Sequence, residues 1–199
     1  MNSLVHVLVL AAGASTRLGE PKQLVRVGGR PALHAVVANA VSIAGHAVTV
    51  ILGAHARDLT HMLVHSPASV VINREWEEGM ASSIRRGMAA VPPGCEAVMI
   101  VLGDQVAVTA DDLRRLVSAW KGESSTIAAS VYEGRVGVPA IFPSWCFSEL
   151  SQLRGDQGAR AILQRNMTRL VHVPMPNAAF DLDTPEDLIR LRERFERKD

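Results

Sequence analysis

Short apolar runs recur along the chain at residues 5–10, 47–52, 69–72, 98–102, 126–131, 138–142 and 170–173. They are rich in valine, isoleucine and alanine and have few polar interruptions, the pattern of strands covered on both faces. Between them apolar positions fall three and four apart, which predicts helices near residues 32–44, 56–64, 81–90, 110–120, 148–152 and 159–166. A last helix is expected after Thr184, which can cap it, with Pro185 in the first helical position, Glu186 and Asp187 at the positive end of its dipole, and an end near Arg194. Strands alternating with helices predict an α/β protein of three layers, α/β/α, with a mostly parallel sheet of about seven strands and right-handed crossovers. Residues 138–142 are the expected antiparallel exception.

The first run leads directly into L-A-A-G-A-S-T-R-L-G-E-P-K, Leu10 to Lys22. In such folds ligands bind beyond the carboxyl ends of the strands, so this loop is placed where a ligand would lie. Ala11, Ala12 and Gly13 leave little side chain above the strand end, so backbone N–H groups can approach an anion, and Gly13 and Gly19 can take φ > 0 if the turn needs it. Arg17 adds a planar fork suited to phosphate oxygens, and Lys22 a mobile point charge. The loop is neither a dinucleotide fingerprint, which would need glycine at Ser15, nor a Walker loop, which would need lysine at Glu20.

Composition narrows the partners. The 21 basic and 20 acidic side chains give a net charge of +1, so there is no overall field for nucleic acid or an anionic bilayer, and a polyanion must be met by local charges. Cys95 and Cys146 are too few and too far apart for a disulfide framework or zinc site and are expected as buried thiols in a reducing compartment. The seven histidines show no ligand spacing, and no G-x-S-x-G elbow supports acyl transfer. With no basic amino-terminal region, long apolar stretch or linker, residues 1–199 are expected to form a single soluble cytoplasmic domain.

Two further places carry candidate chemistry. Asp104 follows the run 98–102 through one glycine, so its carboxylate belongs at the same sheet edge as the loop, where it could hold Mg²⁺ together with substrate phosphates or serve as a helix cap, although Asp111 is the better cap. Gly79 and Ser83 lie on the entry of a helix, whose free N–H groups and glycine backbone suit a flat nucleobase; helix-start roles alone would also explain the serines there. Arg85 and Arg86 read as solvated charges on that helix.

The loop, together with N-R-E-W-E-E-G-M-A-S-S-I-R-R-G (73–87), L-G-D-Q (102–105), G-D-Q-G-A-R (155–160) and D-L-D-T-P-E-D-L (181–188), resembles the MobA-like nucleotidyltransferases, most closely their molybdenum cofactor cytidylyltransferase branch. The resemblance implies a Rossmann-like, nucleotide-diphospho-sugar transferase-like fold and Mg²⁺-dependent transfer of CMP from CTP to a phosphorylated acceptor. That acceptor would be molybdopterin, with a molybdoenzyme of the xanthine dehydrogenase type as eventual partner. It implies nucleotide contacts from Leu10, Ala11, Ala12, Gly13, Arg17, Lys22, Gly79, Ser83 and Asp104, and catalytic roles for Arg17, Lys22 and Asp104. Asp104 and Asp183 would be the metal ligands, with Asp181 as a supporting neighbour. Asp156, expected to cap the helix that follows, and Arg160, one turn in, are assigned to the acceptor side.

Two departures from the resembled pattern stand out, and one position separates its branches. Val106 replaces the family's usual proline, Val136–Gly137–Val138–Pro139 replaces R-G-H-P, and Ala12 stands where the guanylyl branch has L-A-G-G. The rival readings are a guanylyltransferase, a sugar- or polyol-phosphate nucleotidyltransferase, a non-catalytic nucleotide-binding assembly factor and an NAD(P)-dependent oxidoreductase.

Overall fold

A computed structural model describes residues 5–196. Its strands are β1 (Val5–Ala11), β2 (Arg26–Val27), β3 (Arg30–Pro31), β4 (Val48–Leu52), β5 (Ser69–Ile72), β6 (Ala97–Leu102), β7 (Ile127–Tyr132), β8 (Arg135–Pro143) and β9 (Leu170–Pro174). Its helices are α1 (Ala32–Ala44), α2 (Ala56–Met62), α3 (Met80–Met88), α4 (Ala110–Trp120), α5 (Phe147–Ser151), α6 (Arg160–Arg165) and α7 (Pro185–Glu196). Seven strands form one sheet in the order β5-β4-β1-β6-β8-β7-β9, and β2 and β3 make a separate short hairpin.

Within the large sheet only β8 runs against its neighbours, pairing antiparallel with β6 and β7, so the exception expected near residues 138–142 is where the structure has it. The parallel strands need covered crossovers, and the side chains of β1 show why both faces are filled. Val5, Val7, Val9 and Ala11 point into a core with α1, α2, α4 and α7, whereas Leu8 and Leu10 point into a second core with α3, α5 and α6. Alternation along the strand thus feeds two hydrophobic layers, and removing a wholly buried member such as Leu8 should cost about 2–5 kcal/mol.

Connectivity positions the site. The chain steps from β1 outward to β4 and β5, then crosses back to place β6 on the other side of β1. The reversal opens a crevice above the carboxyl ends of β1 and β6, the location where doubly wound sheets bind ligands. Gly103 N–H donates to Leu10 C=O at 2.8 Å, locking the two strand exits together, and a Cβ on Gly103 would lie 2.9 Å from the Ala11 Cβ.

Several local expectations are corrected. Helix α4 is capped by Thr109, not Asp111: the Thr109 hydroxyl accepts from Asp112 N–H, while the Asp112 carboxylate accepts from Thr109 N–H, satisfying two helix-end donors. Asp156 caps nothing, because α6 begins after Ala159 with no side-chain cap, which makes Arg160 its first residue. Gly13 does not take positive φ; Ser15 at 58° and Gly19 at 78° do. Cys95 is only half-buried, unlike Cys146, whose thiol is pushed up to about 12 chiefly by burial. Among the described residues no helix is long and apolar enough to cross a membrane.

Candidate active site

The loop after β1 is shaped by a buried side chain. Gln23 donates through its amide to Ala11 C=O (3.3 Å) and Gly13 C=O (3.0 Å), and accepts from the Ser15 hydroxyl (3.2 Å). The Ser15 hydroxyl oxygen also accepts from Lys22 N–H at 3.1 Å. The turn is therefore fixed from beneath, and Lys22 leaves it in a set direction.

That direction is toward two acids. The Lys22 ammonium donates to Asp104 Oδ2 at 2.6 Å and to Asp183 Oδ1 at 2.8 Å, with the lysine side chain only 15% exposed. The two legs bound the separation of those carboxylate oxygens at 5.4 Å, although the residues lie 79 positions apart in sequence. Burial alone would lower the Lys22 pKa, but the charge and hydrogen bonds of Asp104 and then Asp183 outweigh it and raise it above the ordinary lysine value. Arg17, 73% exposed, donates to the other oxygen of Asp183 at 3.0 Å.

The backbone brings the acids together. Leu182 N–H donates to Asp104 C=O at 3.1 Å, while α7, capped by reciprocal bonds between Thr184 and Asp187, anchors the segment that carries Asp183. Gln105, buried beside Asp104, donates to Val138 C=O and Ala178 C=O, both at 3.0 Å. Asp181 lies within electrostatic reach of this pair. Its carboxyl is open to solvent at the rim yet pushed up to about 7, first by the protein packed around it and then by the charges of Asp104 and Asp183.

A cleft of about 530 Å³ lies beside Lys22 and Asp104. Leu10, Ala11, Ala12, Gly13, Gly79, Ser83 and Asp156 also line it; Arg17 and Asp183 adjoin it through the Lys22 cluster, and Arg160 acts on Tyr132, as do Asp104 and Asp181. Asp156, expected from the sequence on the acceptor side, lines the cleft with its Oδ1 so close to Gly79 that a Cβ there would lie 2.4 Å away. Gly79 has φ 116°, so both its conformation and its surroundings require glycine.

Trp76 and Glu77 also line the cleft, from a single 3₁₀ turn, and neither was assigned a role from sequence. The turn is tied at its start by Asn73, whose amide donates to the Ser82 (2.8 Å) and Ser83 (3.1 Å) hydroxyls. Arg85, read from sequence as a solvated charge, instead forms a two-pronged pair with Glu78 and donates to Leu153 C=O at 2.8 Å. Glu78 is held below the usual carboxylate range, first by the hydrogen bonds from Arg85 and further by the Gly155 backbone N–H.

Among the described residues no group of three or more His, Cys, Asp or Glu is arranged to hold a metal ion. The residues present nevertheless fit a hard divalent cation that takes part of its shell from phosphate. Asp104 Oδ1 is buried without a hydrogen-bond partner, and the Lys22 ammonium shows that a cation is accepted between Asp104 and Asp183.

The seven-stranded, mostly parallel sheet with helices on both faces is the nucleotide-diphospho-sugar transferase fold. The chain belongs to the MobA-like NTP transferase domain family, which it matches over residues 7–171. It is 30% identical over 193 residues to the nicotine blue oxidoreductase of Paenarthrobacter nicotinovorans, covering 92% of this chain and 94% of that protein. With the molybdenum cofactor cytidylyltransferase of Escherichia coli (strain K12) it shares 22% identity over 194 residues, 97% of this chain and 98% of that one. Among solved structures it is similar to the homologue of Mycobacterium tuberculosis rv0371c from Mycobacterium sp. strain JC1, with TM-score 0.85, 27% identity and complete coverage of both chains. A manganese complex of Rv0371c from M. tuberculosis H37Rv superposes with TM-score 0.76 at 28% identity, covering 96% of this chain and 99% of that one.

Proposed function

We propose that the protein, acting as one domain in the cytoplasm, transfers CMP from CTP to a phosphorylated acceptor with release of pyrophosphate, and that molybdopterin is the acceptor. The observation that carries this reading is the bridge from Lys22 to Asp104 and Asp183 at the mouth of the Leu10–Gly13 cleft. The cytidylyltransferase relative supports the choice of base and acceptor, and Ala12 in place of the first glycine of the guanylyl branch's L-A-G-G supports the choice of base. The product would serve a molybdoenzyme of the xanthine dehydrogenase type.

In the reaction an acceptor phosphate oxygen attacks the α-phosphorus of CTP. The bond from that phosphorus to the bridging oxygen breaks, and its electron pair leaves with pyrophosphate. The attacking oxygen is already ionised, so the protein needs no strong general base; its work is alignment and charge stabilisation. Lys22 shifts from the carboxylates to the phosphates, and Arg17 neutralises charge as it grows on the leaving group. Asp104 and Asp183, freed from Lys22, would hold Mg²⁺, which supplies Lewis-acid stabilisation at the α-phosphate when bound. Ser83, Gly79 and the wall of Trp76 receive the base and ribose.

A screen of CTP, GTP, ATP and UTP for Mg²⁺-dependent thermal protection, followed by pyrophosphate release with molybdopterin, tests the proposal. Protection and turnover selective for CTP are expected; protection by none of the four overturns it. The oxidoreductase name of one relative makes an NADH and NADPH titration the direct check of the rival chemistry. No binding is expected, in keeping with Ser15 in place of the second fingerprint glycine.

A further inference from the structure

We infer that Glu78 and Arg85 form a clamp that sets the base-facing wall of the cleft, making them positioning residues for nucleotide binding rather than surface charges; the inference rests on the nucleotide reading above. Four observations converge on it. Arg85 grips both carboxylate oxygens of Glu78, at 3.0 and 2.6 Å, and reaches across to Leu153 C=O at 2.8 Å. Ala81 N–H donates to Gly155 C=O at 3.1 Å, joining the same two segments a second time. Gly79 and Gly158 are packed so closely that an added Cβ would lie 2.4 Å from Asp156 Oδ1 and 2.9 Å from Met80 Sδ, respectively. Trp76 and Glu77, the cleft-lining residues of the turn, sit between the Asn73 anchor and this clamp.

The arrangement has a functional logic. A turn tied at both ends presents Trp76 and Glu77 in one arrangement, so binding the base need not order them first. The same guanidinium holds the 153–158 loop, which places Asp156 against Gly79. Cutting the clamp therefore releases two parts of one wall, while Lys22, Arg17 and the β1 loop, which face the phosphates, are untouched. The pair is partly exposed, at 26% for Arg85 and 42% for Glu78, and exposed pairs add little to global stability, so its removal should act on the wall far more than on folding.

The test compares wild type with Arg85→Met, Arg85→Lys, Glu78→Gln and the Glu78→Gln/Arg85→Met double variant, by calorimetric titration with Mg²⁺ plus CTP and with Mg²⁺ plus pyrophosphate. We expect Arg85→Met to weaken CTP about tenfold, with Arg85→Lys intermediate and the double variant no worse than Arg85→Met, the non-additivity of two halves of one device. Pyrophosphate affinity should stay within about twofold, kcat at saturating CTP within about threefold and the melting temperature within a few degrees. Unchanged CTP affinity in Arg85→Met, equal losses for CTP and pyrophosphate, or additive effects in the double variant each overturn the clamp while leaving the nucleotide reading intact. Failure of wild type to bind any of the four triphosphates overturns both.

Discussion

Replacing Lys22 with methionine keeps most of the stem and removes the one charge that holds Asp104 and Asp183 together. At 2.6 and 2.8 Å, each leg of the bridge has a gross Coulomb energy of about 1.5 kcal/mol in a water-like dielectric and about 6 kcal/mol at an effective constant near 20. Desolvation of three charges and the ordering of a long side chain offset most of that, leaving a net contribution of about 1–2 kcal/mol for partly exposed partners. In a chain of 199 residues such a loss lowers the melting temperature by about 2–8 °C. Catalysis should suffer more, because the phosphates lose a preorganised cation: pyrophosphate release from CTP should fall at least ~10²-fold. A third consequence separates this account from simple damage. With the ammonium gone, Asp104 is left without its cation and Asp183 keeps only its exposed contact with Arg17, so Mn²⁺ without nucleotide should raise the melting temperature of Lys22→Met more than that of wild type. The measurements are scanning calorimetry with and without Mn²⁺ and a coupled pyrophosphate assay. Near-normal turnover, or a variant that gains no more from Mn²⁺ than wild type, would refute the reasoning.

Asp104→Asn should abolish Mg²⁺-dependent protection by CTP and reduce turnover by ~10²-fold or more, read by thermal shift and the same assay. Gly79→Ala forces a side chain into φ 116° and against Gly155 C=O at 2.6 Å, so stability should drop by about 1–3 kcal/mol and CTP affinity should fall, measured by urea unfolding and titration. Asp112 tests linkage away from the cleft. Burial raises its pKa, but hydrogen bonds from Asn177, Thr109 and Arg115 win and hold it below the ordinary 3.8. The stability it contributes is present above 3.8 and lost as pH falls through the lower folded value, so the deficit of Asp112→Asn in urea unfolding should be full at pH 7 and shrink below about pH 4. A deficit independent of pH would contradict that assignment.

The strands were legible because valine-rich runs buried on both faces differ sharply from their surroundings, and β1, β4 and β6 all lie close to the runs read from sequence. Hairpins were harder. Glu133 and Gly134, with φ of 48° and 70°, turn the chain tightly from β7 into β8, so that β8 begins at Arg135 rather than near residue 138. Helix entries were legible where a cap had a reciprocal partner nearby, as at Thr184, and misread where an acidic residue merely stood near a helix, as at Asp111 and Asp156. In the site, Lys22, Asp104 and Asp183 could be named from their motifs, but their meeting depends on sheet order, which no local pattern encodes. Gln23 and Arg85 show the same limit: a buried amide and a bidentate arginine look like ordinary surface polar residues until their distant partners, the carbonyls of Gly13 and Leu153, are in place.

The partners of Lys22 are 82 and 161 positions downstream, so the centre is assembled from widely separated stretches of the chain. A nascent chain that has not yet reached residue 183 would already carry the β1 loop and the turn of Trp76, yet would have only one of the two acids. Competence for the proposed reaction therefore waits on the arrival of Asp183. Until the segment of Asp183 docks against Asp104, the proposed transfer has a single carboxylate where it needs two.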